Sequence, residues 1–307
     1  MKVFVSGLLN IETTVKIKEF PIEYYPIDYP FFGVNSNVSG VGYNISKALS
    51  TLGDKVDLKS FLGNDDEAER IINTLKRENI AFNSIESILE STPCSVVLYD
   101  QSGKRQIYCD LKDIQEQSIK PDKKILSAIN SCDIAALCNI NFNRELIKAR
   151  KNIDIPLATD VHVLGDIEDE YNRDFMQNSD ILFLSDENLP CHAVEFIKRI
   201  EDRYKNKIIV IGMGSKGAVL LDSFSQKIYK LGVYENKNVV NTVGAGDSLF
   251  SAFIHFYAKE GSALEALKKA EIFASKKISY NGASLGFSSE KEIEKDFLNN
   301  NISVEEL

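Results

Sequence analysis

Asn241-Thr242-Val243-Gly244-Ala245-Gly246-Asp247 is a small polar turn that runs straight into the apolar stretch Ser248 to Ile254. Two glycines bracketing an alanine let a backbone approach a ligand closely, and the helix that follows leaves its first N–H groups without intrahelical partners. Those N–H groups and the positive end of the helix dipole suit an anion such as phosphate. Asp247 stands at the mouth of that site, where a carboxylate can reach whatever approaches the anion. An anion hole with a base beside it points to phosphoryl transfer. The same residues would also suit a plain turn whose Asp caps the next helix, since Asp is a preferred N-cap residue.

Strands and helices must hold such a turn, and the chain supplies them in order. Lys2 to Ser6 reads as a first buried strand ending at Gly7. Residues 11 to 38 carry Pro21, Pro26 and Pro30 among Tyr24, Tyr25, Tyr29, Phe31 and Phe32. Prolines at this density exclude a long helix and disfavour central strands. The segment therefore reads as edge strands and loops of a small lid, whose aromatics form a satellite core, a partner surface or a cover for a ligand. Ser39-Gly40-Val41-Gly42-Tyr43-Asn44 opens a helix with Ile45, Ala48, Leu49 and Leu52 at i, i+3, i+4 and i+7, stopped by Gly53. Close packing of that helix on a strand accounts for its glycines as well as a ligand does.

Val56 to Leu62 reads as a strand and Asn64 to Glu78 as a helix. Ser95 to Tyr99 and Arg105 to Tyr108 make a hairpin that could pair with the proline-punctuated segment, giving a lid from about 11–40 and 93–112. From Asp133 onward the strands Ile134 to Leu137, Leu157 to Asp160, Ile181 to Leu184, Ile208 to Ile211 and Ala218 to Leu221 come with helical patterns such as Ala193 to Arg203. That rhythm means a mostly parallel sheet covered on both faces. Ligands of such sheets sit outside the carboxyl ends of the strands, where Asn10, Glu12, Asn139, Asn141, Asp160, Asp186 and Glu187 fall. Met213 to Gly217 reads as a tight turn between two strands. The last third holds the helix after Gly246, another from about Leu264 to Tyr280, the turn Asn281-Gly282-Ala283, and a charged surface helix from Ser289.

Composition narrows the function classes. With 307 residues and 44% hydrophobic content the chain can bury a large core. A net charge of -9 argues against an extended basic surface for nucleic acid, so any phosphate must be met locally. The five cysteines are odd in number and widely spaced, and read as reduced thiols. No apolar run has the length of a signal peptide core or a membrane span, so the expectation is a cytoplasmic protein that engages neither membrane nor nucleic acid. His162, His192 and His255 lack metal-ligand spacing.

The residues at 241–247, late in the chain and followed by an apolar helix, resemble the D-T-x-G-A-G-D signature of ribokinase-like (PfkB) carbohydrate kinases. Gly40 to Asn44, leading into a helix that ends at Leu52-Gly53, is similar to that family's N-terminal glycine signature. Gly214-Ser215-Lys216-Gly217 resembles its G-S-x-G nucleotide turn, and all three motifs match in order and spacing. The resemblance implies a three-layer α/β/α sandwich with a mainly parallel central sheet, one domain over 1–307 with a β lid, and transfer of a phosphoryl group from ATP, with Mg²⁺, to a hydroxyl of a small sugar or sugar derivative. By position it makes Asp247 the general base and gives Gly244, Ala245 and Gly246 the phosphoryl. It puts Glu12, Gly40, Gly42 and Asn44 on the sugar, where Asn10 and Asn141 join them, and sets Ser215, Gly217, Thr242 and Gly282 at the nucleotide.

The chain departs from the family pattern in places. Asn241 stands where many members have an Asp that helps to hold a monovalent cation, so dependence on K⁺ is left open. Ser39 replaces a glycine, and Glu12 replaces Asp. The family's N-x-x-E element is not reproduced at 185–189, which leaves the Mg²⁺ ligands open, with Asp186 and Glu187 as candidates. A nucleoside kinase is the alternative within the fold, because Tyr24, Tyr25, Phe31 and Phe32 could stack on a base. A phosphosugar acceptor would call on Lys104 and Arg105; outside enzymes, a weakly catalytic sugar- or nucleotide-binding protein is the other reading. The family habit of pairing lids implies a homodimer.

Overall fold

The computed structural model describes residues 1–236 and 238–307. Its strands are β1 (Lys2–Ser6), β2 (Asn10–Lys16), β3 (Val34–Ser39), β4 (Lys55–Leu62), β5 (Ala81–Ser87), β6 (Cys94–Tyr99), β7 (Arg105–Asp110), β8 (Ile134–Leu137), β9 (Leu157–Val163), β10 (Ile181–Ser185), β11 (Ile208–Gly212), β12 (Ala218–Asp222), β13 (Lys227–Leu231) and β14 (Val304–Glu306). The helices are α1 (Val41–Thr51), α2 (Asp66–Arg77), α3 (Lys123–Asn130), α4 (Arg144–Lys148), α5 (Arg173–Asn178), α6 (Ala193–Tyr204), α7 (Ala245–Glu260), α8 (Ala263–Lys277) and α9 (Glu290–Asn299).

Short β-branched runs such as Ile208-Ile209-Val210-Ile211 are fully buried, as strands covered on both faces must be. They form a large sheet in the order β14-β13-β12-β11-β10-β9-β8-β1-β4-β5. From β11 to β5 every pairing is parallel, and β12, β13 and β14 extend the sheet antiparallel. The expected strands all fall in this sheet or in the hairpin. A separate four-stranded sheet, β3-β2-β6-β7, takes the alternating segment after Gly7 and that hairpin, with β2 and β6 parallel to each other. Among the described residues no helix is long and apolar enough to cross a membrane.

Two features bear on the site. A Cβ on Gly42 would lie 2.6 Å from the Gly7 carbonyl carbon, and one on Gly40 would lie 2.4 Å from Leu8 O. The start of α1 is thus pressed onto the chain leaving β1, and only glycine permits that approach. Helix α7 is buried over its whole stretch Ser248 to Phe256. Phe250 and Phe253 pack edge-on to Phe183 of β10, with ring centroids 5.2 and 5.0 Å apart. A helix anchored on all sides holds its N-terminus in a fixed place.

Candidate active site

The turn ahead of α7 is built by backbone bonds and one asparagine. Val240 N and Asn241 N both donate to Ile278 O, at 2.9 and 3.1 Å. Asn241 Oδ1 accepts from Val243 N at 2.8 Å and its Nδ2 donates to Asn281 Oδ1 at 2.9 Å, so the neutral side chain braces the turn from both sides. Gly244 follows with φ 78°, the left-handed region, and a Cβ there would stand 2.4 Å from Ala283 O. Ala245 N donates to Thr242 O at 3.1 Å. Among the described residues the N–H groups of Gly244 and Gly246 have no backbone acceptor, which leaves them to an incoming anion.

The turn opens onto a cleft of about 580 Å³, within the usual size of a small-molecule site. Thr242, Gly244, Ala245, Gly246 and Asp247 line it, and Ser215 and Gly217 from the β11–β12 connection line it as well. A second, polar recess of about 570 Å³ lies against the small sheet, with Glu12, Ser39, Tyr43, Arg70 and Gly282 on its walls.

Asp247 is only partly exposed. Its Oδ2 accepts from Asn44 Nδ2 at 2.8 Å, which ties the start of α7 to α1. Burial raises its affinity for a proton and Asp160 adds to the rise, while His162, Asn44 and Lys277 oppose it; the carboxyl ends above the ordinary range. Glu12 is raised too, mainly by burial, with Asp247 adding repulsion and Ser39, Lys277 and Arg105 pulling down. Glu12 and Lys277 thus each feel the charges of Asp247 and Arg105 as well as one another's.

Several residues expected at the site serve it from elsewhere or not at all. Asn141 lines neither hollow: its N–H and Nδ2 donate to Gln115, and its Oδ1 accepts from Arg144 Nε at 3.1 Å, which spends the side chain on holding a loop. Gly40 and Gly42 line neither hollow either and serve the close approach of α1. Gly282 belongs to the recess with Glu12 and not to the cleft with Ser215, because the chain after α8 passes behind Gly244 toward the small sheet. Ala245, expected to offer its N–H, has it turned back to Thr242 by the tightness of the turn. Asn10 is buried with Nδ2 donating to Ser95 Oγ at 3.0 Å. The Oδ1 atoms of Asn10 and Asn44 are buried without a partner among the described residues. Of the acidic pair after β10, Glu187 lines the cleft.

Three residues in this region escaped the sequence reading. His162 lies on the cleft wall with φ 59°, its Nδ1 3.5 Å from Asp160 Oδ2. Glu271 and Lys277 are charged residues on the buried face of α8. A signal existed for both: Leu267, Glu271 and Ala274, like Ala270, Ala274 and Lys277, keep the i, i+3/i+4 spacing of the helix's apolar stripe.

The profile of pfkB family carbohydrate kinases matches residues 2–290. The chain belongs to that family. It is a phosphotransferase with an alcohol group as acceptor, on a ribokinase-like fold. A ribokinase of Dictyostelium discoideum is 22% identical to this kinase over 94% of the chain and 98% of its own length. Among solved structures, a microbiome-derived acarbose kinase superposes with a TM-score of 0.84 at 19% identity, covering 97% of this chain and 98% of that one. A ribokinase of Arabidopsis thaliana, solved with ribose and ATP, gives a TM-score of 0.79 at 21% identity over 97% and 99%. At such identities the superpositions show the kinase's fold and not its acceptor.

Proposed function

We propose that the kinase transfers the γ-phosphoryl group of ATP to a hydroxyl of a small sugar or sugar derivative, with Asp247 as general base. The observation that carries this reading is the 2.8 Å bond from Asn44 to Asp247, which ties α1 to the helix start that lines the cleft. It supports a carboxylate held at an anion-accepting helix start, within electrostatic reach of Glu12 on the wall of the polar recess. The nucleotide would occupy the cleft at Ser215, Gly217 and Thr242, its γ-phosphoryl on the N–H groups of Gly244 and Gly246. The acceptor would lie toward Glu12, Asn10 and Asn44, and the orphaned buried Oδ1 atoms of the two asparagines call for hydroxyl donors.

Asp247 then takes the hydroxyl proton as the oxygen attacks, and a carboxylate held above the ordinary range is the stronger base for it. The transferring group needs positioning and charge neutralisation more than covalent help. Mg²⁺ fits the donor chemistry of the cleft, where Asp160 and Glu187 are the hard oxygen donors that would hold its waters, and it would neutralise charge on the bound phosphates.

Tyr24, Phe31 and Phe32 are 88, 84 and 101% exposed and line neither hollow. They are not placed to stack on a base, which favours a sugar over a nucleoside. That apolar tip of the small sheet, acting as a lid, suits pairing with a second copy of the chain. Five free cysteines suit a reducing compartment such as the cytoplasm. ADP release measured with ATP and a panel of sugars and nucleosides tests the reading. Turnover is expected with a sugar, and Asp247→Asn should lower kcat by about 10²- to 10⁴-fold with the fold retained. Near-normal kcat in Asp247→Asn refutes the base assignment.

A further inference from the structure

Lys277, the last residue of α8, is fully buried. Burying a charge is costly unless it is paired, and lysines are almost never wholly buried without a carboxylate partner. Among the described residues the Lys277 side chain makes one hydrogen bond, from Nζ to the carbonyl oxygen of Val243, and no ion pair within 4.0 Å. That carbonyl belongs to the turn ahead of Asp247. The same peptide unit carries the N–H of Gly244, one of those without a backbone acceptor among the described residues.

We propose that Lys277 is the built-in cation of the phosphoryl-accepting turn, a positioning residue that acts through the Val243–Gly244 peptide and takes the place of a free monovalent cation. The inference rests on the kinase reading above. An ammonium on the carbonyl side of a peptide fixes its plane and polarises its N–H outward, so hydrogen bonds in series strengthen one another. Lys277 also faces Asp247 of α7, Glu12 of β2 and Arg105 of β7, the first two of which favour its charged form. Burial works against that form and brings the ammonium down to about 8. Asp247 apart, the turn has no charged side chain to hold a mobile cation: Asn241 is neutral and both ends of its amide are engaged.

The test compares turnover of the wild-type enzyme and of Lys277→Ala and Lys277→Met, using ATP and whichever acceptor the panel identifies, in K⁺, NH₄⁺, Na⁺ or tetramethylammonium chloride at constant ionic strength. Wild-type kcat is expected to be the same in all four salts. Lys277→Ala should lose about tenfold or more in kcat, with the KM for the acceptor nearly unchanged, because electrostatic aid to the transferring group is removed. K⁺ or NH₄⁺ should restore much of that loss, and tetramethylammonium should not. Lys277→Met, which fills the space without a charge, should melt no lower than wild type yet stay slow. A merely structural lysine would give no cation rescue. Lys277→Met with wild-type kcat, a wild-type enzyme strongly stimulated by K⁺, or an alanine variant that folds but answers to no cation, overturns the proposal. A wild-type protein that phosphorylates no acceptor overturns the kinase reading itself, and the inference with it.

Discussion

Glu271 should make the protein lose stability as pH rises through neutrality, and Glu271→Gln should remove that slope. The side chain is 6% exposed on α8, at the wall of the cleft that Asp247 also lines. Burial pushes its carboxyl up from 4.5 to about 8. In the unfolded chain the proton leaves near the ordinary value, whereas in the folded chain it stays until about pH 8. The stabilising contribution of the bound proton is therefore complete below about pH 4.5 and is lost progressively up to about pH 8. Within that window each unit costs about 1.4 kcal/mol, so roughly 3 kcal/mol is gone by pH 7. Gln keeps the shape and has no proton to lose. Urea unfolding of both proteins from pH 5 to pH 8 should show the variant gaining on wild type by about 1 kcal/mol or more per unit. Any constant cost of burying the amide shifts every pH equally, and the raised Asp247 and Glu12 cancel because both proteins carry them. Parallel stability curves would refute the reasoning.

Gly244→Ala should cost both stability and turnover, since left-handed backbone costs an alanine about 1–2 kcal/mol and its Cβ would stand 2.4 Å from Ala283 O. Thermal unfolding and kcat read the two effects, and a variant with wild-type kcat would show the turn to be pliable. Asn44→Ala should move the acidic limb of the kcat/KM profile to higher pH, because the Asn44 hydrogen bond holds the Asp247 carboxyl down. A limb left in place would mean that Asn44 does not govern the base.

The sequence was most legible where physics acts over a few residues. Apolar runs such as Ile181 to Leu184 announce buried strands, and the two-glycine turn ahead of α7 announces its free N–H groups. Strands β5, β13 and β14 were not legible: β5 is half polar at the sheet edge, and β14 is only three residues long and wholly exposed. For these, pairing with a neighbour decides, and no local pattern carries it. Within the site, Asp160 and Glu187 on the cleft wall could be found by their position at or after the end of a strand. Asn141 could not be sorted from Asn44 that way, because what separates them is whether a neighbouring chain segment claims the amide. Lys277 and Glu271 were passed over because charge on a helix usually faces water; only the spacing of the stripe places them inside.

The bond between Asn44 and Asp247 joins residues 203 positions apart. At a synthesis rate of about 5–20 residues per second, Asn44 leaves the ribosome roughly 10 to 40 s before its partner Asp247. The strands from β4 to β13 emerge during that interval, while the Asn44 amide waits without its acceptor. The tie between α1 and α7 therefore closes only after every parallel strand of the large sheet has been synthesised.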